Sequence, residues 1–162
     1  MTLALLNRQR TKKINTRLLR EIVQQVLVEL KIESVESVEL GISLVGAREM
    51  TLLNETFLKN EGSTDIITFD YQEPGAGSRK PEAKLHGELF ICVDEAILQA
   101  KRFRSTWQSE IVRYVVHGIL HLLGHDDLKP ALRRRMKREE NRRLRGLAGG
   151  FSLSRLHRKT KV

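Results

Sequence analysis

The sequence predicts an α+β fold: a single domain in which a mixed four-stranded sheet packs with helices. Four short segments read as strands, of which residues 36–45 alternate apolar and polar positions, and apolar residues recur with helical spacing in other segments. The two kinds of segment do not follow a strict βαβ order, which disfavours a doubly wound parallel sheet. The 162 residues are 40% hydrophobic and only 5% aromatic, so they suffice for one domain with a mainly aliphatic core.

The first half of the chain predicts two strand–helix units. Its apolar periodicity places strands at residues 2–8 and 36–45 and helices at about 16–30 and 47–59. Asn15 or Thr16 can cap the first helix, because both side chains accept hydrogen bonds from free backbone N–H groups. In the second helix, the positions expected to face inward are Met50, Leu53 and Phe57.

The second half predicts two strands and three helices. The strands cover residues 65–71 and 87–93, and the helices about 94–103, 108–123 and from 130 to just before Gly146. A loop is expected at 72–86, which contains Pro74, Gly75, Gly77, Ser78 and Pro81. Asp94 can cap the first of these helices, Gly124 can end the second and Pro130 favours the start of the third. We expect the domain to occupy residues 1–148 and residues 149–162 to form a flexible basic tail.

The charge of +9 is unevenly distributed along the chain. Residues 1–127 hold 16 basic and 18 acidic residues, whereas residues 128–162 hold 13 basic residues and two acidic ones. A local positive patch favours a polyanionic partner over a merely solvated helix face. The sequence predicts no transmembrane segment, no signal peptide and, with the single Cys92, no disulfide framework. We therefore expect a soluble cytoplasmic protein without membrane contact.

The stretch from His117 to Asp127 predicts a metal site at the end of a buried helix. His117 and His121 are four residues apart, so their imidazoles lie on one helical face and can reach one ion. Gly118 is expected to leave space there for water or substrate. Gly124 breaks the helix and lets the following loop supply a third ligand, for which Asp127 is preferred over His125 from the spacing.

Two familiar kinds of site are disfavoured by the same residues. Metalloproteases of the His-Glu-x-x-His type use a Glu directly after the first His as general base, and Gly118 occupies that position here. The sequence also contains neither a Walker loop nor a dinucleotide-binding fingerprint, so no nucleotide cofactor is expected.

Three motifs together resemble the YbeY family of metal-dependent endoribonucleases and ribosomal RNA maturation factors. The first is the His-Gly-x-Leu-His-Leu-x-Gly run with its Asp-rich turn. The others are Leu53-Asn54 ahead of Thr64–Phe69, and the Gly-Glu-Leu-Phe-Ile strand that starts at Gly87. The motifs occur in the family's order, and the resemblance covers about residues 1–145.

The resemblance implies a single-strand-specific endoribonuclease that acts in late maturation of small-subunit ribosomal RNA and in ribosome quality control. It implies one Zn²⁺ per chain, catalysis by His117 and His121 through water bound to the metal, and ribosomal RNA and the small ribosomal subunit as partners. The alternative is a non-catalytic ribosome-assembly factor that binds RNA and keeps the metal as a structural staple.

Two departures from the family pattern concern the site. The family carries His where this chain has Asp127, an exchange that zinc tolerates but that lowers the site's positive charge. It carries an RNA-handling Arg where this chain has Leu58, with Lys59 beside it. Residues that could contact RNA are Lys59 beside this position, Arg113 one turn before His117, and Arg133, Arg134 and Arg138 in the basic C-terminal segment.

Overall fold

The computed structural model describes residues 1–32, 38–72 and 85–159. Its strands are β1 (Thr2–Asn7), β2 (Val38–Val45), β3 (Ile66–Asp70) and β4 (Leu85–Cys92). Its α-helices are α1 (Thr16–Glu29), α2 (Ala47–Leu53), α3 (Val93–Phe103), α4 (Trp107–Leu122) and α5 (Pro130–Gly150). A π-helical turn (Asn54–Leu58) continues α2, and a short 3-10 helix (Leu153–Leu156) follows α5.

The four strands form one mixed sheet, as the sequence predicts. The strand order is β1-β2-β4-β3; β1, β2 and β4 are parallel, and β3 pairs antiparallel with β4. The register pairs Ile42 of β2 with Leu89 of β4, and both side chains are buried. The start of β3 and the end of β4 therefore lie next to each other, close to the helix that carries the two histidines.

The main core lies between one face of the sheet and helices α1 and α4. Buried aliphatic residues of α1 and α4, such as Ile22 and Ile119, belong to the same cluster as Leu40 and Leu89 of the strands. Each such side chain contributes about 1.5–3 kcal/mol when it is removed from water. The aliphatic core predicted from the composition is confirmed, and it holds α4 firmly against the sheet.

Gly118 serves this packing rather than opening a space at the metal site. A Cβ atom at Gly118 would lie 2.6 Å from Leu89 Cδ2 and 2.9 Å from Ile66 Cδ1. The residue is buried against the sheet, so the expectation that it leaves room for water or substrate is wrong. Its small size allows the close approach of α4 to β3 and β4.

At α2 and α3 the structure differs from two predictions, which concern Phe57 and Asp94. The π-helical turn after α2 alters the helical register, and Phe57 is consequently 59% exposed instead of facing inward. Asp94 does not cap its own helix, which has Cys92 at its N-cap position. Its carboxylate accepts a 2.6 Å hydrogen bond from the Ala47 N–H instead and so caps the neighbouring α2.

The C-terminal region is more ordered than its composition predicts. Helix α5 does not end before Gly146 but continues to Gly150, because Leu144 and Leu147 remain buried beyond the predicted end. The segment after it packs against α1: Leu156 is 1% exposed, and its carbonyl accepts a 2.8 Å hydrogen bond from the Asn15 N–H. Within residues 151–159, Leu156 thus packs into the domain, whereas the sequence predicts a flexible tail from residue 149.

The other elements follow the prediction within a few residues. Asn15 caps α1 by accepting a 3.1 Å hydrogen bond from the Leu18 N–H, and Gly124 ends α4 with a φ of 95°. Most of the predicted loop at 72–86 lies outside the described residues, as do the first two residues of the predicted second strand. No helix in the described ranges combines the length and apolar character needed to cross a membrane.

Candidate metal centre

Helix α4 brings His117 and His121 together on the one face that is not buried in the core. The two residues are one helical turn apart, and their Nε2 atoms lie 3.1 Å from each other. Both side chains are partly exposed, at 24% and 29%, while their neighbours on the helix are almost fully buried. Two imidazole nitrogens thus converge on a partly exposed part of the helix surface.

The loop after Gly124 adds the carboxylate of Asp127 to this pair. Asp127 Oδ2 lies 3.8 Å from His117 Nε2 and 3.7 Å from His121 Nε2. The loop is held in place at both ends, since the His125 N–H donates to the Leu120 carbonyl and Arg133 Nε donates to the Asp127 carbonyl. The structure therefore brings Asp127 to the two histidines and leaves the side chain of His125 exposed.

The three ligand atoms fit a single tetrahedral ion. Zinc–nitrogen distances of about 2.0–2.1 Å require ligand atoms about 3.3–3.4 Å apart in a tetrahedron. The observed separations of 3.1, 3.7 and 3.8 Å bracket that value. Two nitrogen donors and one oxygen donor are a ligand set that zinc accepts, and a four-coordinate ion held by them would have one position left for water or substrate.

Glu140 of α5 completes the arrangement and was missed by the sequence reasoning. Its Oε2 atom lies 3.1 Å from His117 Nδ1, the ring nitrogen opposite the one that faces His121. A carboxylate at Nδ1 keeps the proton on that nitrogen and leaves Nε2 free to bind a metal. The sequence feature that could have indicated Glu140 is its helical spacing from apolar residues: it belongs to the buried stripe of α5 with Met136, Leu144 and Leu147.

The electrostatic surroundings favour a positive charge at this place. Burial disfavours the charged form of His117, but the hydrogen bond and charge of Glu140, with Asp127 and Asp65, outweigh it and raise the pKa of His117. The same carboxylates that attract a proton would stabilise a bound cation.

The residues predicted to contact RNA lie in different places. Arg133 is exposed and lines the cleft beside His117, whereas Arg134 and Arg138 are exposed elsewhere on α5. Arg113 also lines the cleft, but it donates a 2.8 Å hydrogen bond to Asn141 and lies 3.7 Å from Glu140. Lys59 follows the π-helical turn, is exposed and is not among the residues that line the cleft.

Comparisons with known proteins place these features in a family context. A family model described as endoribonuclease YbeY matches residues 4–148. A protein of Chlorobium phaeovibrioides named endoribonuclease YbeY is 36% identical over 134 residues, which are 83% of each chain. A longer protein of the same name from Myxococcus xanthus is 38% identical over 120 residues, 74% of this chain and 39% of that protein.

The fold is also similar to a solved structure. The solution structure of TM1509 from Thermotoga maritima superposes with a TM-score of 0.63 at 23% identity, and the match covers 92% of this chain and 91% of that one. At this identity the likeness concerns the arrangement of helices and strands.

Proposed function

The chain belongs to the endoribonuclease YbeY family, and from this premise we propose that it is a zinc-dependent endoribonuclease that cleaves single-stranded RNA during ribosomal RNA maturation. The observation that carries the proposal is the cluster of His117 Nε2, His121 Nε2 and Asp127 Oδ2, whose separations suit one tetrahedral ion. The proposed substrate is ribosomal RNA, and the proposed partner is the small ribosomal subunit.

The residues of the cluster would hold the metal through two imidazoles and one carboxylate. A zinc ion bound there would supply an acidic water and polarise a phosphoryl oxygen, the two requirements of phosphodiester hydrolysis. Glu140 orients the His117 ring by accepting a hydrogen bond from its Nδ1–H, and Arg113 partly balances the buried charge of Glu140. The protein thus supplies a preorganised ligand set before RNA arrives.

Positive charge on α5 would draw the RNA backbone to this site. Arg133 and Lys137 are exposed and line the same cleft as His117 and Asp127. Lys and Arg contacts to phosphates give affinity without reading the base sequence. This supports a nuclease whose affinity for RNA does not depend on the base sequence.

The proposal is tested by metal analysis and cleavage with the same preparations. We expect wild-type protein to contain close to one zinc ion per chain and to cleave single-stranded RNA but not a duplex of the same sequence. His117→Ala should lose both metal and cleavage, while the matched control His125→Ala, at an exposed histidine outside the cluster, should retain both. Cleavage by metal-free His117→Ala protein would overturn the role of the metal in catalysis, whereas wild-type protein that holds zinc but does not cleave RNA would favour an assembly factor.

A further inference from the structure

Two of the three residues of the ligand cluster, His117 and Asp127, line a cleft that is larger than an ion requires. The cleft has a volume of about 460 Å³ and is bordered by α3, α4, α5 and the start of β3. Along α4 it extends from Glu110 to His117, positions seven residues apart, which are separated by about 10 Å at a rise of 1.5 Å per residue. Its volume lies within the roughly 300–1,000 Å³ of small-molecule pockets, which leaves room for a nucleotide beside the ligand cluster.

Four acidic residues line the cleft: Asp65 and Asp127 are partly exposed, and Asp127 belongs to the ligand cluster, whereas Glu110 and Glu140 are buried in internal contacts. Glu110 is 6% exposed and accepts a 2.7 Å hydrogen bond from the Ser105 hydroxyl. Glu140 is 7% exposed and is bound to His117, with Arg113 close by. These buried carboxylates do not form the surface that an incoming ligand meets.

The exposed charges on the cleft wall are positive. Arg133 and Lys137 are four residues apart on α5, so they project from one face, and both are exposed. They lie on the same helix as Glu140, which contacts His117, so a phosphate bound to them would lie near the ligand cluster. This part of the cleft is suited to an anion.

An aromatic side chain lines the cleft at the end of α3. Phe103 is 63% exposed, and the guanidinium of Arg102 lies 5.6 Å from the centre of its ring. Ser105, two residues later, is bonded to Glu110, so Phe103 lies at the Glu110 side of the cleft, away from His117. Aromatic rings on which bases stack, combined with cations along the backbone path, are the usual means of binding single-stranded nucleic acid.

We propose that this cleft is a nucleotide subsite, in which Phe103 stacks on a base of single-stranded RNA while Arg133 and Lys137 contact the adjoining phosphate. The inference rests on the proposed endoribonuclease function and adds a structural reason for its preference for single strands. A base paired in a duplex cannot leave its stack to lie on Phe103 without an energetic cost, whereas an unpaired base can.

The test uses RNA that binds without being cleaved. The protein carries His117→Ala, and the probe is a short single-stranded RNA with 2-aminopurine, whose fluorescence falls when the base stacks. We expect quenching on binding, and Phe103→Leu should abolish the quenching and weaken affinity about five- to 150-fold, the range for one lost base–aromatic contact. Phe103→Trp should preserve both.

Phe57→Leu is the matched control, because Phe57 is also an exposed phenylalanine, at 59%, but contacts Phe69 outside the cleft. Its affinity should stay within about twofold of the parent. Equal effects of the two substitutions, or an unchanged quenching in Phe103→Leu, would overturn the subsite.

The outcomes separate the subsite from the proposed function. If wild-type protein cleaves RNA while Phe103→Leu binds and cleaves like it, the subsite is wrong and the nuclease function stands. If wild-type protein neither binds nor cleaves RNA, the proposed function fails and the subsite fails with it. Binding of a free nucleoside, which has a base but no phosphate, as tightly as of RNA would contradict the phosphate contact of Arg133 and Lys137 and overturn the subsite.

Discussion

Glu140 Oε2 lies 3.1 Å from His117 Nδ1, so a residue of α5 fixes the ring of a residue on α4. The contact joins positions 23 residues apart in sequence and links the last long helix to the metal centre. Carboxylates that hold a metal-binding histidine in this way raise its basicity and fix its tautomer. The function of α5 is therefore not limited to its positive charge.

Replacing Glu140 should weaken metal binding without removing a ligand. For Glu140→Gln we expect zinc affinity to fall about 10- to 100-fold, as for other residues that hydrogen-bond a metal ligand. Competition with a chelator measures this affinity. Glu139→Gln is the matched control, since the neighbouring Glu139 pairs with Arg142 and Arg143 away from the cluster. Equal zinc affinities for the two variants would show that Glu140 has no part in tuning the site.

The third ligand can be identified by a pair of loop substitutions. Asp127→Ala should reduce zinc affinity by more than the 10- to 100-fold expected for Glu140→Gln, because it removes one of three donor atoms. His125→Ala should leave the affinity unchanged, and Asp127→His should keep one zinc ion per chain. A larger loss in His125→Ala than in Asp127→Ala would assign the ligand to His125 instead.

The sequence could predict the paired histidines because the determining relation is local. His117 and His121 are one helical turn apart in a strongly apolar helix, and Gly124 signals the turn that returns Asp127. Their convergence needs only helix geometry and one break. For Glu140, the helical spacing with Met136 and Leu144 indicates only that it is buried; its contact with His117 depends on how α5 packs against α4.

The two wrong predictions about local structure also arise from tertiary packing that the sequence pattern does not show. Phe57 follows the helical spacing of Met50 and Leu53, but the π-helical turn changes the register and leaves the ring exposed. Asp94 is of a residue type that commonly caps helices and lies at the start of α3, yet it caps α2. This contact between two helices exists only in the tertiary structure. Local sequence propensity was sufficient to predict the helices and strands, whereas the contacts between them are determined by tertiary packing.

Two glycines in helices should respond to alanine in opposite directions. Gly118→Ala gains helix propensity but forces a methyl group to within 2.6 Å of the buried Leu89, so we expect a net loss of about 1–3 kcal/mol in the free energy of unfolding. Gly146→Ala, on α5, meets no neighbouring atom within 4 Å and should gain about 0.5–1 kcal/mol. Urea denaturation of both variants measures the difference; a stabilised Gly118→Ala would contradict the close packing of α4 on the sheet.

Substitutions on the outer face of α5, the exposed side with Arg134 and Arg138, should weaken the attraction of RNA without affecting the chemistry at the metal centre. Removing the chain after Gly149 would also delete the buried Leu156, so substitutions test the charge more cleanly than truncation. Arg134 and Arg138 are exposed, do not line the cleft and lie one turn apart. In the double variant Arg134→Gln/Arg138→Gln, the slope of log affinity against log salt should become shallower by about 0.7 for each lost phosphate contact on single strands.

The same double variant should keep its zinc and its rate of cleavage at saturating RNA, because neither side chain belongs to the ligand cluster. Arg10→Gln/Arg17→Gln is the matched control: it removes two exposed cations from the N-terminal part of the chain, outside the cleft. An identical change of salt slope in both double variants would mean that RNA responds to total charge alone. A loss confined to Arg134→Gln/Arg138→Gln, with metal content unchanged, would assign the outer face of α5 to RNA attraction and the cleft to cleavage.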